Sequence, residues 1–333
     1  MKRKGIVFLV AAGAIMLAAL ELSSCGRSPV PEKAEKLRIG IFPDPICALI
    51  YIGQEKGFFK RHGLEVSIQN YQAGAYAVSD LLESKVDVAT AADYVLALQG
   101  FKREDLRGVG TISLFQSHEM VARKDRGIGK PEDLRGKVIG VPRGAATEFF
   151  LSTFLTFNNI HSREVHLVDL KPSEMVTALS EGKIDAASCF PPSTDEMRRN
   201  LTQNAISWPL QGGQDCYFLL ITSEELIKTR PHVITNLLKG VLEAEAFLKK
   251  HEKEARKLIE STLNLDHEVL MSTWSKTHFR VGLDQALLTL MEDEARWAIQ
   301  NRLVEAKKVP NYLNFLSLEG LMKVKPDAVG VIH

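Results

Sequence analysis

Apolar runs of four to six residues alternate with stretches whose apolar positions recur at three- to four-residue spacing. The alternation predicts strands at Lys36–Ile41, Leu64–Ile68, Asp87–Ala89, Gly136–Val141, Glu164–Leu167 and Asp185–Ala187, with helices between them. Two further apolar runs, Ile206–Pro209 and Cys216–Ile221, also read as strands. From Ser223 onward the spacing is helical, with helices predicted at Glu224–Lys228, Pro231–Ser261, His267–Trp274 and Leu283–Ala306. Pro231 suits a first helical turn, where its missing N–H is not needed.

The pattern repeats. Leu81–Ala89 (LLESKVDVA) is echoed by Leu179–Ala187 (LSEGKIDAA), with Asp87 and Asp185 98 residues apart. Gly40 of KLRIGI and Gly140 of GKVIGV are 100 apart, and Val66 and Val165 are 99 apart. Three matches in one order at nearly one offset predict two copies of a β-α-β-α-β unit. Such units imply α/β lobes built on parallel sheets, with helices on both faces and ligands bound beyond the carboxyl ends of the strands. Two lobes facing each other enclose one cleft. Chain crossings are expected near Ser117–Val121 and Asp215–Leu219, which puts residues 37–117 and 219–333 in lobe 1 and residues 118–218 in lobe 2.

The N-terminus changes the picture of the compartment. Lys2-Arg3-Lys4 precedes an apolar run from Gly5 to Leu20, too short to span a bilayer, and Leu22-Ser23-Ser24-Cys25 follows. Residues 1–24 read as a signal peptide, Cys25 as a lipidation site, and residues 25–36, rich in Pro and charge, as a tether. The formal net charge of +1 falls to −1 without the leader, which excludes an electrostatic footprint for nucleic acid. Cys47, Cys189 and Cys216 show no C-x-x-C or zinc spacing. Buried packing is expected of them, and a disulfide between two of them is left open. No cofactor or metal is expected.

GVPRGAATEFF (Gly140–Phe150) runs from strand to helix through small residues. It fits an anion held by the first N–H groups of a helix, and equally a helix packed closely on a strand with Thr147 as its cap. It lacks the Gly-Lys-Ser/Thr of a P-loop. Its counterpart in lobe 1 is Ile41–Leu49 (IFPDPICAL).

Tyr51–Val66 (YIGQEKGFFKRHGLEV), Val86–Ala91 (VDVATA), Pro131–Lys137 (PEDLRGK) and GVPRGAATEFF together resemble the substrate-binding lipoproteins of ABC importers, specifically the group for nitrate, sulfonates, taurine and thiamine precursors. The resemblance covers residues 37–305 and implies a two-lobed periplasmic binding protein type II fold, with two Rossmann-like lobes joined by two hinge crossings. It also implies a monomer that captures a small solute, delivers it to a permease and its ATPase, and is held to a membrane from the periplasm or cell surface by lipid. Carried over by position, the ligand-binding candidates are Asp44, Pro45, Gly74, Ala75, Ala92, Asp93 and Tyr94 in lobe 1. In lobe 2 and at the crossings they are His118, Arg143, Gly144, Ala145, Ala146, Thr147, Phe190, Pro191 and Asp215. Asp93 serves equally well as a helix cap, and His118 reads as a hinge residue more than a ligand group.

Asp44 and Arg143 on opposite lobes would suit a zwitterion such as taurine, whereas Phe42, Tyr94 and Phe190 would suit a flat pyrimidine. The sequence lacks Gly-x-Ser-x-Gly and His-Glu-x-x-His. Related fungal pyrimidine synthases carry a cysteine-rich cluster and a histidine where this chain has Ala187-Ser188-Cys189-Phe190-Pro191, so binding without turnover is expected.

Overall fold

The computed structural model describes residues 34–332. The leader, Cys25 and all but the end of the expected tether lie outside the described residues. Of the tether, Glu35 and Lys36 already belong to the first strand. No described helix is long and apolar enough to cross a membrane.

Eleven strands build two sheets. In chain order they are β1 (Glu35–Ile41), β2 (Leu64–Asn70), β3 (Val88–Ala92), β4 (Leu106–Phe115), β5 (Glu119–Arg123), β6 (Val138–Val141), β7 (His166–Asp169), β8 (Ala186–Cys189), β9 (Ala205–Pro209), β10 (Cys216–Ser223) and β11 (Thr277–His278). The first sheet has the order β11-β4-β10-β3-β1-β2 and the second β7-β6-β8-β5-β9.

The repeat is visible in the register. Gly40 stands opposite Ala89 across β1 and β3, and Gly140 stands opposite Ala187 across β6 and β8. The repeated aspartates do the same work in both copies. Asp87 accepts from Arg38 N at 2.8 Å while its own N–H donates to Arg38 O, and Asp185 accepts from Val138 N at 2.9 Å while its N–H donates to Val138 O. Each aspartate thus ties the start of one strand to the start of its neighbour and satisfies a backbone donor that the ladder leaves over.

The sheets are mixed, where a parallel arrangement was expected. β10 runs antiparallel to β3 and β4, and β5 runs antiparallel to β8 and β9. These are the strands that arrive from the other lobe. A chain crossing at the cleft enters each sheet beside the carboxyl ends of its parallel strands, so its first strand must run away from that end. The first connection spans residues 116–118 and the second residues 210–215, so the second lies ahead of the expected Asp215–Leu219. Cys216, Tyr217 and Phe218 therefore belong to the first sheet.

The tail is helical. The single helix expected at Pro231–Ser261 is two, Pro231–Lys250 and Glu252–Leu263, broken at His251. Lys249 and Lys250 end the first, and Glu252 and Glu254 begin the second, each with the charge its helix end favours. Pro231–Lys250 lies along Ala48–Glu55 and Phe58–Arg61, whose Phe59 is buried, and Gln285–Gln300 packs on Asp93–Gln99.

Candidate functional site

Three of the helices that start at the carboxyl ends of parallel strands have alanine at the N-cap: Ala73 before Gly74–Leu82, Ala92 before Asp93–Gln99, and Ala145 before Ala146–Phe157. None of the three makes a side-chain capping bond. Alanine is among the poorest caps, costing about 1 kcal/mol against Ser or Asp. At Gly74–Leu82 and Ala146–Phe157 this leaves the N-cap without a side-chain acceptor for the first-turn N–H groups, at the helix end that favours negative or acceptor groups, whereas in Asp93–Gln99 the Asp93 carboxylate takes the Tyr94 N–H. All three alanines line one cavity between the lobes. Gly74 is required there, since a Cβ would lie 2.7 Å from the Ala91 Cα. Gly144 supplies the left-handed turn before Ala145, with φ of +74°.

The cavity and the open space at its mouth together amount to about 550 Å³. Its walls are aromatic, with Phe42, Phe115 and Phe218 from lobe 1 side segments and Phe190 from lobe 2. Phe42 meets Phe190 edge-on across the lobes, centroids 5.6 Å apart. Among the described residues, three polar side chains line it, those of Asp44, Ser117 and His118, and no Lys or Arg does.

The surroundings of Asp44 and His118 define what each of these two side chains can offer. Asp44 caps the short 3-10 turn Pro45–Cys47, accepting from Ile46 N at 2.9 Å through Oδ1. Burial pushes its carboxyl up to about 7, and the nearby Asp195 charge adds to the rise. His118 sits between Phe115 and Phe150, with centroids 5.5 and 5.1 Å away. Burial lowers its imidazole to about 4, so the ring is neutral at pH 7. Gln211 Nε2 donates to two carbonyls, Phe115 O and Gln214 O, each at 2.9 Å, which fixes its Oε1 as an acceptor. Oε1 receives the His118 N–H at 3.0 Å and faces His118 Nδ1 at 3.1 Å. The proton of the neutral ring is therefore assigned to Nδ1, and Nε2 is left as an acceptor.

A model of the family described as NMT1/THI5 like matches residues 44–255. The chain belongs to that family. The taurine-binding periplasmic protein of Escherichia coli is 25% identical over 190 residues, 56% of this chain and 59% of that protein. A Bacillus subtilis protein named for aliphatic sulfonate binding is 24% identical over 284 residues, 83% of each chain. Among solved structures, the alkanesulfonate-binding protein SsuA of Xanthomonas axonopodis, bound to MOPS, superimposes with a TM-score of 0.73 at 16% identity, covering 86% of this chain and 99% of that one. The fold is thus that of the periplasmic binding proteins. The desulfurization enzyme DSZB shares it, with a TM-score of 0.63 at 16% identity, covering 87% of this chain and 98% of that one.

In this family member the cavity holds Asp44, Gly74, Ala75, Ala92, His118, Ala145, Ala146, Phe190 and Pro191 of the residues singled out from sequence. The others lie elsewhere. The Arg143 guanidinium pairs with the buried Glu148 and lines a separate hollow beside Trp297, so the structure does not bring it to Asp44. Gly144 N donates to Glu148 as well, at 3.0 Å. Thr147 is buried against Ser188, with their hydroxyls 2.9 Å apart. Asp93 accepts from Tyr94 N at 3.0 Å and Tyr217 N at 3.2 Å, tying its helix to β10, and Tyr94 turns toward Trp297 with centroids 6.1 Å apart. Asp215 accepts from Gln116 Nε2 at 2.8 Å, between the two connections, and Pro45 is buried in the turn that Asp44 caps. Cys47, Cys189 and Cys216 are free and buried, and burial pushes the Cys189 thiol up to about 12.

Sequence reasoning missed Ile46, Ala73, Val95, Phe115 and Phe218. Phe115 and Phe218 stand at the ends of strands that adjoin the crossings. An aromatic at the last or first position of a crossing strand was the available signal.

Proposed function

We propose that the chain is the solute-capturing component of an importer, working outside the cytoplasm, and that it binds without turnover a small organic solute bearing an amino or other N–H donor group. The observation that carries the ligand class is the lining itself: side-chain acceptors on Asp44, His118 and Ser117, and no cationic side chain among the described residues, within aromatic walls. The ligand's donor faces Asp44 and His118. Its acceptor or anionic end faces the uncapped helix starts at Gly74 and Ala146, so contacts to both lobes favour closure. Relatives named for taurine and sulfonates support this reading, since taurine carries both an amine and an acceptor end. The raised, unexposed thiols of Cys47 and Cys189 support binding rather than nucleophilic chemistry. Anchoring through lipid on Cys25 belongs to the same proposal and rests on the leader pattern.

The four phenylalanines favour a second, narrower reading, a flat aminopyrimidine-type ring packed against the aromatic walls. A thermal-shift screen of the chain from residue 26 onward separates these. Amine-bearing solutes are expected to raise stability by about 2.7 kcal/mol at a hundredfold excess over Kd, whereas nitrate and bicarbonate give no shift. Binding of taurine but not aminopyrimidines selects the aliphatic ligand. A simple alkanesulfonate binding as tightly as its amino derivative overturns the donor-group reading.

A further inference from the structure

Away from the cavity lining, the tail meets the second lobe where Trp297 packs on Phe149, and again through a small closed set of charges. Glu119, the first residue of β5, and Asp195, in the first turn of helix Ser193–Leu201, are both nearly buried, at 7% and 8% exposure. Arg198 bridges the two carboxylates. The tail supplies the remaining contacts: Lys276 Nζ donates to Glu119 Oε1 at 2.6 Å, and Ser272 Oγ donates to Asp195 Oδ2 at 3.1 Å.

Both tail residues are fixed to the first lobe. The Lys276 carbonyl accepts from Gln116 N at 3.0 Å, and the next residue begins β11 on the edge of the first sheet. Ser272 lies on helix His267–Trp274, which packs against the Asp44-capped turn and Glu252–Leu263. On the other side, Ser193–Leu201 follows directly from Phe190 and Pro191, which wall the cavity. The set therefore joins the wall bearing Phe190 to the segment bearing Asp44 without touching what lies between them. Two acids and two bases balance within it, and the Asp195 charge is felt at Asp44. Separating the lobes would strip Glu119 of its lysine and Asp195 of its hydroxyl while leaving both partly shielded from water, which is unfavourable for carboxylates.

We propose that Ser272, Lys276, Glu119, Asp195 and Arg198 form an interlobe clasp that sets how far the cleft is closed before ligand arrives. Ser272 and Lys276 are positioning residues and make no ligand contact. The effect on affinity rests on the solute-binding reading, but the clasp itself does not.

The test is therefore made first without ligand. Spin labels are placed on the outer surface of each lobe, and the interlobe distance distribution is measured for the wild type, Ser272→Ala and Lys276→Met. The wild type is expected to give one narrow population, and each variant a longer or broader one. Ser272→Ala, which removes a single hydrogen bond, keeps the test open where Lys276→Met fails to fold. An unchanged distribution in a folded variant overturns the clasp. With any solute the screen identifies, the variants are expected to bind about tenfold more weakly, as a shift of the competent population requires. A changed distance with no solute found keeps the clasp and counts against the binding reading. A solute bound equally by all three proteins at unchanged distance does the reverse.

Discussion

Asp44 carries the most chemistry of any single residue in the site. Its carboxyl is raised from the ordinary range to about 7, chiefly because burial penalises the charged form. The protonated form is thus favoured by folding. The stability this contributes is complete below about pH 4, the unfolded value, and is lost as pH rises through about 7. Asp93, also raised to about 7 by burial, adds to the same slope. Asp44→Asn is expected to flatten, without abolishing, the fall in melting temperature between pH 4 and pH 8, which scanning calorimetry across that window measures. A cationic solute favours ionised Asp44, so wild-type affinity should rise from pH 6 to pH 8. In Asp44→Asn that rise should vanish, with a loss of about 2 kcal/mol, roughly thirtyfold in Kd, at pH 8 by titration calorimetry. Asp44 was legible in the sequence because it lies in the loop that follows the first strand of a recognisable unit. Arg143, at the matching place in the second unit, was misplaced for a reason of the same scale. The motif fixes where its backbone goes, but Glu148, one helical turn on, captures the side chain.

At the scale of elements, the repeat was readable because its marks are local. Asp87 and Asp185 each bond to a strand start, and Gly40 and Gly140 each sit under a helix, where a Cβ would lie within 3.1 Å of Ala77 or of Met175. The three alanine N-caps are a different kind of feature. Each is unremarkable alone, and their meaning appears only when the helices converge. Ala145→Ser should supply the missing cap and raise stability by about 0.5–1 kcal/mol in denaturant unfolding. The same change should weaken binding of solutes with an anionic end, because the hydroxyl takes the N–H groups the ligand would use. A variant that gains stability with unchanged affinity would separate that helix start from ligand binding. The break at His251 was missed because apolar spacing continues across it, although the change from Lys249-Lys250 to Glu252 and Glu254 marks a helix end meeting a helix start.

The whole molecule turns on two connections, and Gln211 joins them. From the second connection it bonds to the Phe115 carbonyl and to His118 at the first, and it is itself buried at 3% exposure. Gln211→Ala leaves the His118 N–H and the Phe115 carbonyl without their partner, at an expected cost of about 1–3 kcal/mol in chemical unfolding. His118 should then lose its fixed tautomer, visible in the nitrogen shifts of its imidazole by NMR. Nothing in the sequence singled out Gln211, since its value lies in groups that the chain brings together only after both crossings are made. The same limit applies to the antiparallel entry of β5 and β10. By itself the sequence determined the two α/β units, their order, the helical tail and the strand-end loops that face the cleft, because these are set by periodicities and turn residues a few positions apart. Only the tertiary structure decided that Phe115 and Phe218 join Phe42 and Phe190 around the cavity, that Arg143 does not, and that Asp44 and His118 line the same cavity. Those outcomes depend on which distant segments meet and which partner each polar group finds there, and short-range pattern does not encode them.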